Sequence, residues 1–242
     1  MFDAVEIFEE TLIRKNYFIL MKREILITAD GSTTIHLPDW NEQYHSKHGA
    51  IQEAYHVFIR AGFEKILERK KEAISILEIG FGTGLNAFIT FLETKKTNFS
   101  VNYVGVEAYP VIVDEVIKLN YVSELNEENH QIIFDKMHAT SWGENHSIFE
   151  GFNLTKRKQF FEDIQDENTF DLLYFDAFGA EHQPELWTVG IFLKMFAALK
   201  KEGVLVTYSA KGSVRRAMLE VGFTVERLAG PPGKREMLRA TK

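Results

Sequence analysis

The sequence predicts a doubly wound α/β fold, closed by an antiparallel hairpin and preceded by a small β-hairpin appendage. Three observations predict it. The first is Ile74 to Asn86 (ISILEIGFGTGLN), where an apolar, β-branched run leads into three spaced glycines and then into helix formers. The second is Val101 to Glu107 (VNYVGVE), a further strand pattern that ends in an acid. The third is Phe170 to Phe178 (FDLLYFDAF), largely apolar as a central parallel strand should be. Strand, glycine turn and helix make the first unit of such a sheet, whose ligands gather beyond the carboxyl ends of the strands.

Composition bounds the reading. With 242 residues, 45% of them hydrophobic, and five prolines, the chain suffices for one well-cored domain plus an appendage, expected over 51–242 and 1–50. No apolar run approaches the roughly 18–20 residues of a membrane span, and no signal peptide opens the chain. A cytoplasmic protein without a membrane partner is expected. The absence of cysteine excludes disulfides, zinc–thiolate sites and cysteine nucleophiles. A net charge of −7 argues against broad nucleic-acid binding through phosphate neutralisation, while leaving room for a local basic patch. Arg69-Lys70-Lys71 and Lys200-Lys201 suit solvated helix ends. Lys156-Arg157-Lys158, Arg215-Arg216 and Lys234-Arg235 are the other candidates.

Taken in order, Glu24 to Ala29, Asp30-Gly31 and Thr33 to Leu37 read as strand, turn, strand. Asn41 to Gly49 (NEQYHSKHG) is polar and aromatic, in the position of a lid or a connecting loop. Gln52 to Lys70 is a helix whose apolar face carries Ala54, Val57, Phe58, Ala61, Ile66 and Leu67. The organising strand follows, ending in Glu78 and in Gly80, Gly82 and Gly84, with Leu85 and Asn86 opening the helix. Glycines here remove the Cβ atoms that would keep a ligand off the backbone. The dinucleotide fingerprint is G-x-G-x-x-G, whereas this chain has E-x-G-x-G-x-G, which resembles motif I of the S-adenosylmethionine (SAM) methyltransferases. Glu107, about 20 residues beyond, is placed to accept both ribose hydroxyls of a nucleoside.

Tyr109 to Tyr121 reads as one crossover helix, begun by Pro110. A helix is expected from about Asn129 to His138, and a turn at Trp142-Gly143. His130, His138 and His146 lack a metal-site spacing and read as structural. Ser147 to Leu154 and Arg157 to Phe161 suggest a hairpin ending at Glu162-Asp163-Ile164. An acid there commonly holds the adenine in SAM enzymes. Asp163 is preferred to Glu162, with a helix N-cap as its other role. After the strand carrying Asp176 and Phe178 come a helix from Leu186 to Leu199 and a strand from Gly203 to Ser209. A helix from Val214 to Val221, capped by Ser213 and ended by Gly222, precedes the closing strands Phe223 to Leu228 and Glu236 to Ala240.

Four stretches together resemble one family: EIGFGTGLN (78–86), FDAFGAEHQPELW (175–187), SAKGSVRRAMLEVGF (209–223) and GPPGKREML (230–238). They are similar to the methyltransferase domain of the bifunctional MnmC proteins, which complete 5-methylaminomethyl-2-thiouridine at the tRNA wobble position. The similarity runs from about Arg23 to the end of the chain, and the Val-Arg-Arg helix followed by GKREML is its specific part. It implies a seven-stranded SAM-methyltransferase sheet that N-methylates a 5-aminomethyl(-2-thio)uridine in a tRNA anticodon loop. The chain stops where an FAD-dependent oxidase domain follows in the family. A stand-alone form without FAD or metal is therefore expected, with room for a separate oxidase partner. The family usually reads D-G-F-x-P where this chain has Asp176-Ala177-Phe178-Gly179-Ala180.

By the same resemblance Asp176 orients or deprotonates the amine, and Phe178 stacks on the flipped-out base. Glu107 binds the ribose, Asp163 the adenine, the three glycines the body of SAM, and Glu78 the methionine amino group. Arg215, Arg216, Lys234 and Arg235 form a phosphate-contacting rim. Two rivals remain: an aminopropyltransferase of the spermidine-synthase type, and a non-catalytic SAM-binding or interaction module. The paired cations speak against the first because they repel a polyamine, and Asp176 beside a complete cofactor set speaks against the second. A nicotinamide dehydrogenase is disfavoured by the glycine spacing.

Overall fold

The structure, a computed structural model, describes residues 21–69 and 72–242. What the sequence suggests for residues 1–20, and for Lys70 and Lys71, lies outside the described residues. Strands β1 (Glu24–Ile27), β2 (Thr33–Leu37) and β3 (Glu42–Gln43) form a small antiparallel sheet. Helix α1 covers residues 50–67, with a π-helical stretch, Tyr55–Phe63, between two α-helical ends. The doubly wound unit then begins with β4 (Ala73–Ile79), α2 (Leu85–Thr94) and β5 (Ser100–Glu107). α2 is buried nearly all round, and Leu85, Phe88, Ile89, Phe91 and Leu92 each contribute roughly 1.5–3 kcal/mol of burial.

The crossover after β5 is not the single helix expected over Tyr109–Tyr121. It is two short ones, α3 (Val113–Val116) and α4 (Tyr121–Glu124). Ile112 is extended, and Glu115 reaches back to its N–H at 3.1 Å, so the first helix starts late. Asn120 breaks the run because its side chain serves the small sheet, accepting from Thr33 N at 2.7 Å and donating to Gly31 O at 2.9 Å. α5 (Gln131–Ala139) follows, close to expectation.

The hairpin expected over 147–161 is displaced. β6 (Asn145–Phe149) turns at Gly151, whose φ of 76° suits glycine, and returns as β7 (Phe152–Lys158). β7 pairs in parallel with β5 from Phe152↔Val101 to Lys158↔Glu107, and Phe161–Asp163 is a 3₁₀ turn beyond it. β8 (Phe170–Phe175), α6 (Val189–Ala198) and β9 (Leu199–Thr207) come next. Thr188, accepting from Ile191 N, caps α6 and starts it later than Leu186. α7 (Gly212–Glu220) has Lys211 at its N-cap, so Ser213 lies within the first turn and is not the cap. β10 (Thr224–Ala229) and β11 (Glu236–Thr241) close the chain.

The main sheet runs β10-β11-β9-β8-β4-β5-β7-β6. It has eight strands, not seven, because β6 adds antiparallel to β7 at one edge. The five central strands are parallel, and the hairpin β10–β11 joins β9 antiparallel at the other edge. The period of two splits the core. Ile74, Ile76, Leu172, Tyr174, Val204 and Val206 pack with α1 and α2 on one face. Leu77, Ile79, Leu173, Phe175 and Leu205 pack with α6 and α7 on the other. Among the described residues no helix is long and apolar enough to cross a membrane.

Candidate active site

The carboxyl ends of β4, β5 and β8 open into a cleft of ≈ 1380 Å³, roofed by the small sheet. That volume exceeds the roughly 300–1,000 Å³ of a small-ligand pocket, enough for a nucleoside cosubstrate and a second reactant together. The glycine loop hangs on β5, with Gly80 N and Phe81 N both donating to Val106 O at 3.0 Å. Gly80 has φ 89°, and a Cβ there would come within 2.6 Å of Asp176 O. Only glycine lets the loop pass so close to the end of β8. Gly82, Leu85 and Asn86 also line the cleft, whereas Gly84 turns toward His138 beneath it.

Glu107 ends β5 with both carboxylate oxygens anchored. Gly82 N donates to Oε2 at 3.1 Å and Tyr109 N to Oε1 at 2.9 Å. A carboxylate with acceptor capacity beyond these bonds, at the cleft wall, suits a vicinal diol. Burial raises the Glu107 carboxyl, against the backbone donors and Arg23 that hold it down.

Asn86 joins the other two acids. Its Nδ2 donates to Glu78 Oε1 and to Asp176 Oδ2, each at 2.9 Å. Glu78 lies below the cleft surface, 1% exposed, and burial pushes its carboxyl well above the ordinary range. Its carboxyl also meets the Tyr103 hydroxyl, and Glu78 does not line the cleft, whereas Asn86 does and keeps its buried Oδ1 without a hydrogen-bond partner. Such an acceptor suits a ligand's donor, an α-ammonium group among them. The glycine cradle, the anchored acid and this acceptor together fit SAM.

Asp176 lines the cleft at the end of β8. Burial first, and then the Glu53 charge, raise its carboxyl to about 7, opposed by the Asn86 hydrogen bond and by Lys234. A carboxyl poised there exchanges protons readily with an amine near neutral pH. Phe178 also lines the cleft, packed edge-on by Trp40 and Tyr44 at ring-centroid distances of 5.8 and 5.0 Å.

The remaining sequence candidates separate. Asp163 is exposed and outside the cleft lining, while its neighbour Glu162 lines the cleft. Arg215, Arg216 and Arg235 do not line it, and Arg235 is exposed beside Glu236 at 3.2 Å. Lys234 does line it, paired with Glu53 Oε1 at 2.7 Å and lying 3.8 Å from the centroid of the Tyr208 ring.

Residues that the sequence reading passed over complete the wall: Trp40, Tyr44, His45, Glu53 and Tyr208. The first three belong to the polar-aromatic segment and its approach, so the hint of a lid was present. Burial lowers the His45 imidazole to about 4, and the ring lies 3.1 Å from Thr34 Oγ1. Glu42, Glu181 and His182 bring ligand atoms within 4.8 Å of one another. Those side chains are engaged, His182 with Glu42 at 3.2 Å and Glu181 with Lys211.

Residues 148–242 match the model of a family described as S-adenosyl-L-methionine-dependent methyltransferase. The chain is similar to the tRNA 5-methylaminomethyl-2-thiouridine biosynthesis bifunctional protein MnmC of Paraburkholderia xenovorans, 28% identical over 215 residues, covering 83% of this chain and 32% of that protein. The protein of the same name from Hydrogenovibrio crunogenus is 25% identical over 233 residues, covering 90% and 34%. The chain thus spans about a third of the length of these relatives. Among solved structures, MNMC2 from Aquifex aeolicus superposes with a TM-score of 0.71 at 24% identity, covering 98% of this chain and 82% of that one. Spermidine synthase from Thermotoga maritima gives 0.56 at 13% identity, covering 92% and 69%, a likeness of fold alone. By sheet, cradle and relatives, this chain is similar to SAM-dependent methyltransferases and, over most of its own length, to about a third of the length of the MnmC proteins.

Proposed function

We propose that this enzyme N-methylates the 5-aminomethyl group of (2-thio)uridine at the tRNA wobble position, in the cytoplasm, giving 5-methylaminomethyl(-2-thio)uridine. The observation that carries the reading is Asp176, held at the cleft wall by Asn86 with its carboxyl raised to about 7. The tRNA 5-methylaminomethyl-2-thiouridine biosynthesis named for the relatives supplies the substrate class. An FAD-dependent oxidase activity would expose the amine.

The carboxylate of Asp176 takes one proton from the substrate's ammonium group, freeing the nitrogen lone pair. When bound, SAM would supply a sulfonium methyl that passes in line to that lone pair, the C–S bond breaking as the thioether S-adenosylhomocysteine leaves. Glu107 would hold the ribose, Gly80 and Gly82 would let the cofactor lie on the backbone, and Asn86, with Glu78 behind it, would meet its amino group. Glu162, which lines the cleft, would meet the adenine in place of Asp163. Phe178 offers an aromatic face to the base. Arg215, Arg216 and Arg235 supply phosphate contacts outside the cleft.

The test is transfer of labelled methyl from SAM to tRNA of a strain lacking this modification, with nucleoside mass spectrometry. Label in 5-methylaminomethyl(-2-thio)uridine is expected. Label absent from tRNA while SAM still binds would overturn the assignment. Activity with decarboxylated SAM and a diamine would then favour an aminopropyltransferase, and no turnover a binding module.

A further inference from the structure

The pair Glu53–Lys234 sits where the sequence gives no reason to expect one. Glu53 belongs to the first turn of α1, and Lys234 to the loop between β10 and β11, 181 residues away. Both line the cleft. Glu53 is 7% exposed, and each carboxylate oxygen is used: Oε1 accepts from Lys234 Nζ at 2.7 Å and Oε2 from Ser46 N at 2.8 Å. The lysine ammonium lies over the Tyr208 ring, and the Tyr208 hydroxyl donates to Ala177 O at 2.8 Å, next to Asp176. The same loop presses on the cover, since a Cβ on Gly233 would stand 2.1 Å from His48 Cδ2.

We infer that Glu53 and Lys234 are a positioning pair for Asp176, an ion pair in the cleft wall that sets two opposite charges against the acid at the end of β8. This rests on the amine-methylation reading, and it moves Lys234 from the phosphate rim to the interior of the site. The groups acting on Asp176 are Asn86 on α2, Glu78 on β4 and Tyr103 on β5 behind it, Tyr208 after β9, Glu53 on α1 and Lys234. Of the charged neighbours, Glu53 disfavours the Asp176 carboxylate and Lys234 favours it. Deleting one member leaves the other's charge unopposed, so the two deletions must act in opposite directions.

The experiment is the pH dependence of kcat/KM for Glu53→Gln, Lys234→Met, the double variant and Lys234→Arg, beside carboxyl-¹³C NMR titration of Asp176 assigned with Asp176→Asn. Glu53→Gln is expected to move the acid limb and the Asp176 titration to lower pH, and Lys234→Met to higher pH, each by about half a unit or more. The double variant and Lys234→Arg are expected to return close to wild type. A structural clamp would lower activity in both single variants without moving either limb, and that result overturns the pairing role. So does an unmoved titration in Lys234→Met with weaker tRNA binding and a shallower salt dependence, the signature of a phosphate contact. A wild-type enzyme that leaves tRNA unlabelled rejects the methylation reading instead. The NMR titration, which needs no substrate, still decides whether the pair sets the Asp176 proton.

Discussion

The cleft has two walls that were assembled differently. The cofactor wall is built from the ends of β4 and β5 within one short stretch of chain, 78–107, and its key contacts are backbone donors on Glu107 and a backbone carbonyl against Gly80. The acceptor wall draws on the small sheet, the start of α1, the end of β8, Tyr208 and the β10–β11 loop, joined by side-chain contacts such as Lys234–Glu53 across 181 residues. Local backbone geometry makes the first wall rigid and tolerant of little change. Distant side chains make the second adjustable in charge.

The sharpest way to break this contrast is Gly80→Ala. A Cβ at φ 89° meets Asp176 O at 2.6 Å, so strain and a backbone clash act together. Loss of at least about 100-fold in SAM affinity by calorimetry is expected, with destabilisation of roughly 2–4 kcal/mol in urea. Retained SAM binding would show that the cofactor wall yields after all.

Asp176→Asn tests the acceptor wall. A loss of about 10²–10⁴ in kcat is expected with SAM affinity unchanged. Stability should move the other way. The unfolded carboxyl ionises above about pH 4, the folded one only above about 7, so the group costs stability increasingly between those values and fully above them. The asparagine variant without ligands should therefore be the more stable by about 1–3 kcal/mol at pH 8, with the gap closing toward pH 4. A wild type more stable than the variant at pH 8 would contradict the raised carboxyl.

Glu107→Gln keeps the shape and removes one anchored oxygen, so SAM affinity should fall about 10-fold with tRNA binding unaffected. The smallest effects are expected at the exposed cations. Arg216→Ala with Arg235→Ala should weaken tRNA binding a few-fold and reduce its salt slope by about one to two, leaving SAM binding intact. Unchanged tRNA affinity would remove both from the interface.

Much of the cofactor wall was legible because its signals are local. Glycine spacing, a terminal acid and β-branched runs report the backbone within a dozen residues, and Gly80, Gly82, Asn86 and Glu107 all line the cleft. The choice between Asp163 and Glu162 hung on where a strand ended; β7 stops at Lys158 before a 3₁₀ turn, and Glu162 is the one that lines the cleft. The eighth strand and the split crossover escaped for related reasons. β6 exists through pairing with β7, and Asn120 breaks a helical pattern to bond a sheet formed 87 residues earlier.

The sequence by itself determined the parallel α/β core, the glycine cradle and the acids that face it, because alternation and turn chemistry act over short spans of chain. Only the tertiary structure decided that Glu53, an ordinary helix-start acid by its neighbours, and Lys234, a member of a basic cluster, meet inside the cleft beside Asp176. Burial and distance set the ionisation of these groups, and both quantities arise when elements far apart in the chain are packed together.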